Sequence, residues 1–296
     1  MPSFTTRLSD GWQQSQEHIA LALVPLVTAL LNTEKLSAVL TFDGFHFGFR
    51  FGTPTSVVNL WTFVGPPNQG VNVNVGVPFV DPPLAFVVIP LGVIVQSALT
   101  AGYFGSIEEA LSTGSFSFTA NVRQFFVPFL LFTLVPLVVY LPLALLGLGG
   151  GLDVLVAFVV LLLPLMIIVG YLFYATPYLI VLQEIGLIPA AKRSYELAVQ
   201  GGAYLSYFLG FLVFVFLVSL VASIFVINVP IIGLVIGLLG GAVLGLAANF
   251  TTMRFIADID PGSPSLGTWD DGSKQNDATD TSRSADTRAD DRDPPW

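Results

Sequence analysis

The sequence predicts an all-α integral membrane bundle of about six transmembrane helices, with a small external β-hairpin and a disordered acidic C-terminal tail. Two stretches of the 296-residue chain are nearly free of charge. From Phe125 to Gln183 the only charged side chain is Asp153, and from Gly202 to Met253 there is none. A helix on the surface of a water-soluble protein needs a polar face. Runs of about 20 apolar residues instead match the ~30 Å hydrocarbon core of a bilayer.

Six apolar segments are predicted to span the membrane. In chain order they are Gln13–Leu31, Leu84–Tyr103, Phe125–Leu148, Val154–Tyr178, Tyr204–Ile227 and Ile231–Phe250. The fifth contains fourteen Leu, Ile, Val or Phe residues between Phe211 and Ile227, which together favour insertion by about 4 to 8 kcal/mol. The first is the weakest, because it is short and is followed by Asn32, Glu34 and Lys35. An interfacial helix is the alternative there.

The positions of the basic residues predict the orientation of residues 1–255, the transmembrane domain. If six helices span, one side of the membrane carries five bases close to the spans: Arg7, Arg123, Lys192, Arg193 and Arg254. The opposite side has only Lys35 and Arg50, within one long external loop over residues 32–83. Because basic residues concentrate in cytoplasmic loops, both termini are predicted to lie in the cytoplasm, with the protein in the cell membrane.

Two runs in the external loop alternate with a period of two residues. Phenylalanine takes every second position of the first run, at Phe45, Phe47, Phe49 and Phe51. Valine does so in the second run, at Val71, Val73, Val75 and Val77. Period two is typical of strands, and two strands alone are only marginally stable in water. We therefore predict a small β-hairpin with its apolar face on the bundle or on the membrane surface.

The C-terminal tail, residues 256–296, has a composition typical of disorder. It carries ten acidic and four basic residues, so it contributes −6 of the net charge of −9. From about Asp258 it is rich in Asp, Ser, Thr, Gly and Pro and cannot bury enough surface to offset its ordering entropy. Its acids are all Asp, and its Arg residues outnumber its single Lys. This composition favours a salt-adapted, halophilic and archaeal cell.

Residues that carry enzyme chemistry are scarce. The chain has no cysteine, which excludes disulfides and thiolate sites. His18 and His46 have no metal-binding spacing, and the adjacent Glu108 and Glu109 point about 100° apart on a helix. Nucleic acid binding needs clustered Lys and Arg, which this acidic chain lacks. We predict no enzyme activity, no catalytic residue, no cofactor, no metal and no nucleic acid partner.

Uncharged polar side chains do occur within the predicted spans. They are Gln96, Ser97, Thr100, Tyr140, Ser219, Ser223, Asn249 and Thr251, and hydrogen bonds between helices account for them. Six tyrosines fall at predicted cytoplasmic helix ends: Tyr103, Tyr171, Tyr174, Tyr178, Tyr204 and Tyr207. Such a set is typical of an aromatic belt among lipid head groups, and ordinary packing is the alternative.

Glycine recurs at every fourth position of the sixth predicted span, at Gly233, Gly237, Gly241 and Gly245. This spacing places the four residues on one helix face, where a second backbone can approach closely. We therefore predict that they form a helix-packing surface. The partner is either another part of this chain or a second protomer.

The stretch from Pro177 to Gly202 reads PYLIVLQEIGLIPAAKRSYELAVQGG. The positions that matter are Glu184, Gly186, Ala191, Lys192, Arg193, Ser194, Tyr195, Glu196, Leu197 and Gly201. This pattern resembles the membrane-domain family found fused to some glycerophosphoryl diester phosphodiesterases, which commonly has Trp in place of Tyr195. The whole chain is also similar to multi-pass membrane proteins of haloarchaea. The resemblance implies a membrane bundle without the hydrolase.

The motif also has a direct physical interpretation as a short interfacial helix. Lys192 and Arg193 would face anionic head groups, and Tyr195 would lie in the boundary region. Together with the charge-free spans, this favours a non-enzymatic membrane module that organises lipid or partner proteins. A transporter or channel for a small or apolar solute is the alternative. The predicted partner is the lipid bilayer, and a protein partner or a homo-oligomer stays open.

Overall fold

The computed structural model describes residues 3–54, 56–67, 82–147, 164–229 and 231–267. Its elements are helices, one of them a 3-10 helix over Ile19–Ala22. The α-helices in chain order are α1 Phe4–Glu17, α2 Leu23–Leu30, α3 Thr33–Leu40, α4 Leu60–Phe63, α5 Pro82–Thr113, α6 Phe118–Gly147, α7 164–173, α8 Thr176–Leu182, α9 Leu187–Gln200, α10 Ala203–Asn228 and α11 Ile232–Ile259.

Five of the described helical stretches are long and apolar enough to cross a membrane. They are Val87–Thr113, Phe118–Pro136, Pro164–Leu182, Ala203–Asn228 and Ile232–Ile259. The prediction of an all-helical chain with several membrane-type helices is confirmed. The end of the third predicted span and the start of the fourth lie outside the described residues.

The first predicted span, Gln13–Leu31, is not one straight helix. α1 ends at Glu17, a 3-10 turn follows, and α2 ends at Leu30. The axis then bends by 73° into α3, where the Asn32 side chain accepts the backbone N–H of Lys35 as a helix cap. The bent pair of α2 and α3 counts as a sixth span only if both halves together cross the membrane.

The predicted external β-hairpin is not supported, because the described residues contain no strand. Its second half, Val71 to Val77, lies outside those residues. Its first half belongs to a non-helical stretch over residues 43–54 and 56–59, which we call the inserted segment. The period of two does indicate extended backbone, but the groups that pair with this backbone are side chains of α10 and α11.

The two ends of the bundle differ in what gathers there. The loop end is where α10 finishes at Asn228 and α11 begins at Ile232. The tail end is where α10 begins and α11 finishes. α1 crosses the tail-end half of α11, with Gly11 against Thr251 and an ion pair between Asp10 and Arg254. The N-terminal helix and the end of α11 therefore share one end of the bundle.

The folded part of the chain extends beyond residue 255. α11 continues to Ile259, and Asp260 and Leu266 are buried. The Gln183 side chain donates to the Asp260 carboxylate, which also accepts the Ser263 hydroxyl. Residues 256–267, which composition placed in the tail, are thus packed against the connection between α8 and α9. Residues 268–296 lie outside the described part of the chain.

Candidate functional site

The inserted segment runs along α10 from the loop end towards the middle of the helix. Near the loop end, the Asn228 side chain accepts the His46 N–H at 2.7 Å and donates to the His46 carbonyl at 2.8 Å. Nearer the middle of α10, the Ser219 hydroxyl accepts the Arg50 N–H at 2.7 Å. The four steps of extended backbone from His46 to Arg50 span about 13 Å, and the nine helical steps from Ser219 to Asn228 span about 13.5 Å. The two rises match, which fixes the register of the segment on α10.

Alternate residues of the inserted segment face opposite ways. Phe45, Phe47, Phe49 and Phe51 point outward and are 77, 61, 53 and 63% exposed. The residues between them, including His46 and Arg50, are half-buried against the bundle. Phe49 and Phe51 both contact Phe216 of α10, with ring centroids 5.5 Å apart. The rings of Phe45, Phe47, Phe49 and Phe51 thus face the surroundings of the bundle, and we call these four residues the Phe row.

The far end of the inserted segment meets a buried asparagine of α11. The Asn249 amide oxygen accepts the Val58 N–H at 2.9 Å and the Tyr103 hydroxyl at 3.1 Å. Its amide nitrogen donates to the Ser56 carbonyl at 3.2 Å and to the Tyr178 hydroxyl at 2.8 Å. An amide offers two lone pairs and two N–H donors. All four are used within the protein, so this residue has no hydrogen-bonding capacity left for a solute.

The glycine face of α11 supports this arrangement. A Cβ on Gly245 would lie 2.0 Å from the Val58 carbonyl oxygen, and one on Gly241 would lie 2.8 Å from the Leu60 Cα. Gly233 and Gly237 lie instead against the loop-end part of α10. The sequence left the partner of this face open, and the structure places α10 and the residues around Val58 on it.

Five of the six tyrosines predicted at cytoplasmic helix ends are buried, so the interpretation as a lipid-facing belt is wrong for those five. The five are Tyr103, Tyr174, Tyr178, Tyr204 and Tyr207, which are at most 4% exposed. The Tyr207 hydroxyl lies 2.8 Å from the Thr252 hydroxyl, and the Tyr174 hydroxyl donates to the Tyr204 carbonyl. A buried phenol is stable when its hydroxyl has such a partner, and sequence position alone does not show whether one exists.

The motif around Lys192 and Arg193 forms helix α9, which is anchored to the end of α11. Arg193 donates to the Asp260 carboxylate at 2.8 Å and to Glu196 at 3.0 Å. Burial acts to raise the pKa of Asp260, but the hydrogen bonds from Ser263, Arg193 and Gln183 outweigh it and lower that pKa below its ordinary value. Arg193 therefore ties two elements together, a role that its spacing in the sequence did not reveal.

The other two predicted interface residues of α9, Lys192 and Tyr195, are exposed. Ser194 between them is fully buried and donates to the Leu172 carbonyl at 2.8 Å. α9 thus has one face packed on the bundle and another that is accessible to a membrane surface. Contact of Lys192 and Tyr195 with lipid stays a prediction.

One cleft of the described part of the chain lies away from the inserted segment. A cleft of about 600 Å³ opens at the tail end, lined by Glu108, Gln183, Glu184 and Ser263 among others. Asn249 does not line it. Within the described ranges, no group of three His, Asp or Glu side chains could hold a metal ion.

The fold and these contacts define a helical protein of membrane-type architecture, with five helices able to span a bilayer. No protein-family model, no curated protein and no solved structure matches the chain. The resemblance of Pro177 to Gly202 to the phosphodiesterase-associated membrane domain therefore stays a prediction.

Proposed function

We propose that this chain is a non-enzymatic, multi-pass membrane module that organises lipid around its outer half. The observation that carries the proposal is the Phe row. A backbone segment is fixed on α10 by Asn228 and Ser219 so that Phe45 to Phe51 face outward. Four exposed aromatic rings on a backbone that is hydrogen-bonded to α10 form a continuous apolar surface. Lipid chains are the apolar partner that surrounds such a surface in a bilayer.

The orientation follows the distribution of charge. Arg7, Arg123, Lys192, Arg193 and Arg254 belong to elements at the tail end. The positive-inside rule places that end in the cytoplasm, so both termini are cytoplasmic and the Phe row lies in the outer half of the cell membrane. The aspartate-only tail supports a salt-adapted archaeal host.

The buried polar cluster around Asn249 favours a structural module over a solute pathway. A transport site needs polar groups that can exchange their partners with a solute. Here the side chain at the centre is saturated by Tyr103, Tyr178 and the backbone of the inserted segment. The cluster stabilises the position of the inserted segment.

One observation favours a transporter or channel as a second candidate. Non-helical backbone at membrane depth occurs where it is buried in protein or lines a water-filled cavity, and broken helices build the sites of many transporters. The inserted segment is such a backbone, because Ser219 lies nine residues, or about 13.5 Å, from the loop end of α10. Release of trapped small solutes from vesicles that contain the protein, at a rate above that of protein-free vesicles, would favour this candidate.

Reconstitution into vesicles tests the lipid-organising function. Spin-labelled phospholipids report how many lipids per protein are motionally restricted, and a photoactivatable phospholipid marks the residues that lipid touches. We expect adducts on Phe45 to Phe51, with the exposed α10 positions Leu209 and Val213 as an internal reference. Alanine at all four phenylalanines should lower the number of restricted lipids. An unchanged number, with no adducts on the Phe row, would refute the proposal.

A further inference from the structure

The outward face of helix α9 carries a stripe of four exposed residues, which we call the α9 stripe. Ile188, Tyr195 and Val199 are 81, 48 and 63% exposed, and Lys192 is exposed between them. Their spacing of four, three and four residues places all four within an arc of about 60° around the helix axis. A helix face that points into water is normally polar. Three of these four side chains are apolar or aromatic, so water alone does not account for the stripe.

The opposite face of α9 is fixed on the bundle. The buried Ser194 hydroxyl donates to the Leu172 carbonyl at 2.8 Å, and the Tyr171 hydroxyl donates to the Ala198 carbonyl at 2.7 Å. The ion pair of Arg193 ties the helix to the segment that follows α11. The direction of the α9 stripe is therefore set by the fold before any partner binds, which reduces the ordering entropy that binding would cost.

The neighbours of α9 in the chain are both membrane-type helices. Pro164–Leu182 precedes it and Ala203–Asn228 follows it, through connections of four and two residues. The second connection is Gly201 and Gly202, with φ of 66° and 56°, a conformation that favours glycine. Such short connections keep α9 at the level where α10 begins, which is the tail-end boundary of the membrane.

An anionic membrane surface is the partner whose chemistry fits the α9 stripe. Aliphatic side chains gain from burial at the acyl boundary, a tyrosine ring lies among head groups, and a lysine attracts anionic lipid. The acidic residues 268–296 of this chain are the alternative partner for Lys192. They contain no Leu, Ile, Val or Phe, so they offer Ile188 and Val199 little apolar surface.

We propose that the α9 stripe lies in the head-group region of the leaflet at the tail end and concentrates anionic phospholipid there through Lys192. This adds a second lipid-binding surface, on the leaflet opposite to the Phe row. It rests on the membrane placement in the proposed function and not on the Phe row. The absence of lipid adducts on the Phe row would therefore refute the proposed function and leave the α9 stripe standing.

Single fluorescent labels in the full chain, reconstituted into vesicles, test where the stripe lies. The chain has no cysteine, so Val199→Cys gives one labelled position on the stripe. Gln200→Cys is the matched control, because Gln200 is exposed on the same helix but turned by about 100°. Leu209→Cys, at a half-exposed position of α10, is the reference for lipid contact.

We expect nitroxide-labelled phospholipid to quench the label at position 199 about as strongly as the label at position 209. Aqueous iodide should quench the label at position 200 more than the label at position 199. Quenching at position 199 by iodide and not by lipid would place the stripe in water. Quenching there by neither would place it under protein. Either result would overturn the proposal.

Photoactivatable phosphatidylglycerol and phosphatidylcholine, in equal amounts, test the lipid preference. We expect adducts on α9 to favour phosphatidylglycerol by about fivefold, the effect of one lysine near an anionic surface. Lys192→Gln should abolish this preference and Lys192→Arg should retain it. Arg123→Gln is the control, because it removes another exposed base of the tail end and should leave the ratio on α9 unchanged. Equal adduct yields in the wild type, or a ratio that Lys192→Gln does not change, would refute the role of Lys192. These substitutions all replace exposed residues, and a wild-type unfolding midpoint in detergent shows that each variant is folded.

Discussion

Replacing Gly245 by alanine should separate the inserted segment from α11. The new Cβ would lie 2.0 Å from the Val58 carbonyl oxygen and 2.7 Å from its carbon. To reach an ordinary contact of about 3.4 Å, the Val58 backbone must retreat by roughly 1.4 Å. The Val58 N–H and the Ser56 carbonyl, which bond Asn249 at 2.9 and 3.2 Å, would then be too far from it.

The size of the effect follows from those two bonds. Leaving a buried polar group without its partner costs about 1 to 3 kcal/mol, so two lost bonds cost about 2 to 6 kcal/mol. Alanine is a better helix former than glycine by about 1 kcal/mol, which offsets part of the loss. The net destabilisation should be about 3 kcal/mol. For a domain of this size that lowers the unfolding midpoint by roughly 10 °C.

Gly240 provides the matched control on the same helix, since a Cβ there meets nothing within 4 Å. Gly240→Ala should be neutral or slightly stabilising. Gly241→Ala, with its 2.8 Å approach to the Leu60 Cα, should fall between the two. The assay is thermal unfolding in detergent, combined with amide hydrogen exchange at Val58, which should speed up only in Gly245→Ala. Equal midpoints for Gly240→Ala and Gly245→Ala would refute the reasoning.

Three further predictions concern the other contacts. Asp260→Asn should destabilise the protein by about 1 to 2 kcal/mol at neutral pH, because the amide loses the ion pair with Arg193. Thermal unfolding measures this, with Ser263→Ala as the comparison variant. Because the pKa of Asp260 is lowered in the folded state, its contribution to the free energy of unfolding is full above the unfolded pKa of about 4 and is lost as pH falls through the folded pKa. The difference in unfolding free energy between wild type and Asp260→Asn should therefore disappear on acidification. A difference that stays constant with pH would contradict the assignment. Asn228→Ala should speed hydrogen exchange at the His46 amide by about tenfold, which corresponds to the loss of one net hydrogen bond. Unchanged protection of this amide would show that Asn228 does not hold the inserted segment.

Much of the fold was accessible from the sequence. Five membrane-type helices lie where charge-free segments predicted them. Each side chain contributes its own free energy of insertion into lipid, and these contributions add along a single helix. The bend at the end of the first predicted span was not visible in the sequence. The apolar residues of this span from Ile19 to Leu30 are long enough for only part of a crossing; α2 packs on α11 and is followed by a 73° bend into α3.

The candidate site could be predicted only in part. The polar residues Ser219 and Asn249 were visible as exceptions within apolar segments. Their partners were not visible, because Asn249 bonds the backbone of Val58 across 191 residues.

The sequence by itself indicated a membrane-type chain, its helical class and the alternation of outward and inward residues in the inserted segment. Each of these depends on local composition and period. Only the tertiary structure decided that the backbone of this segment bonds side chains of α10 and α11, and that Arg193 binds Asp260. The reason is that an extended backbone must satisfy its N–H and carbonyl groups somewhere. Which groups satisfy them depends on the three-dimensional arrangement of the helices, and no local pattern encodes that arrangement.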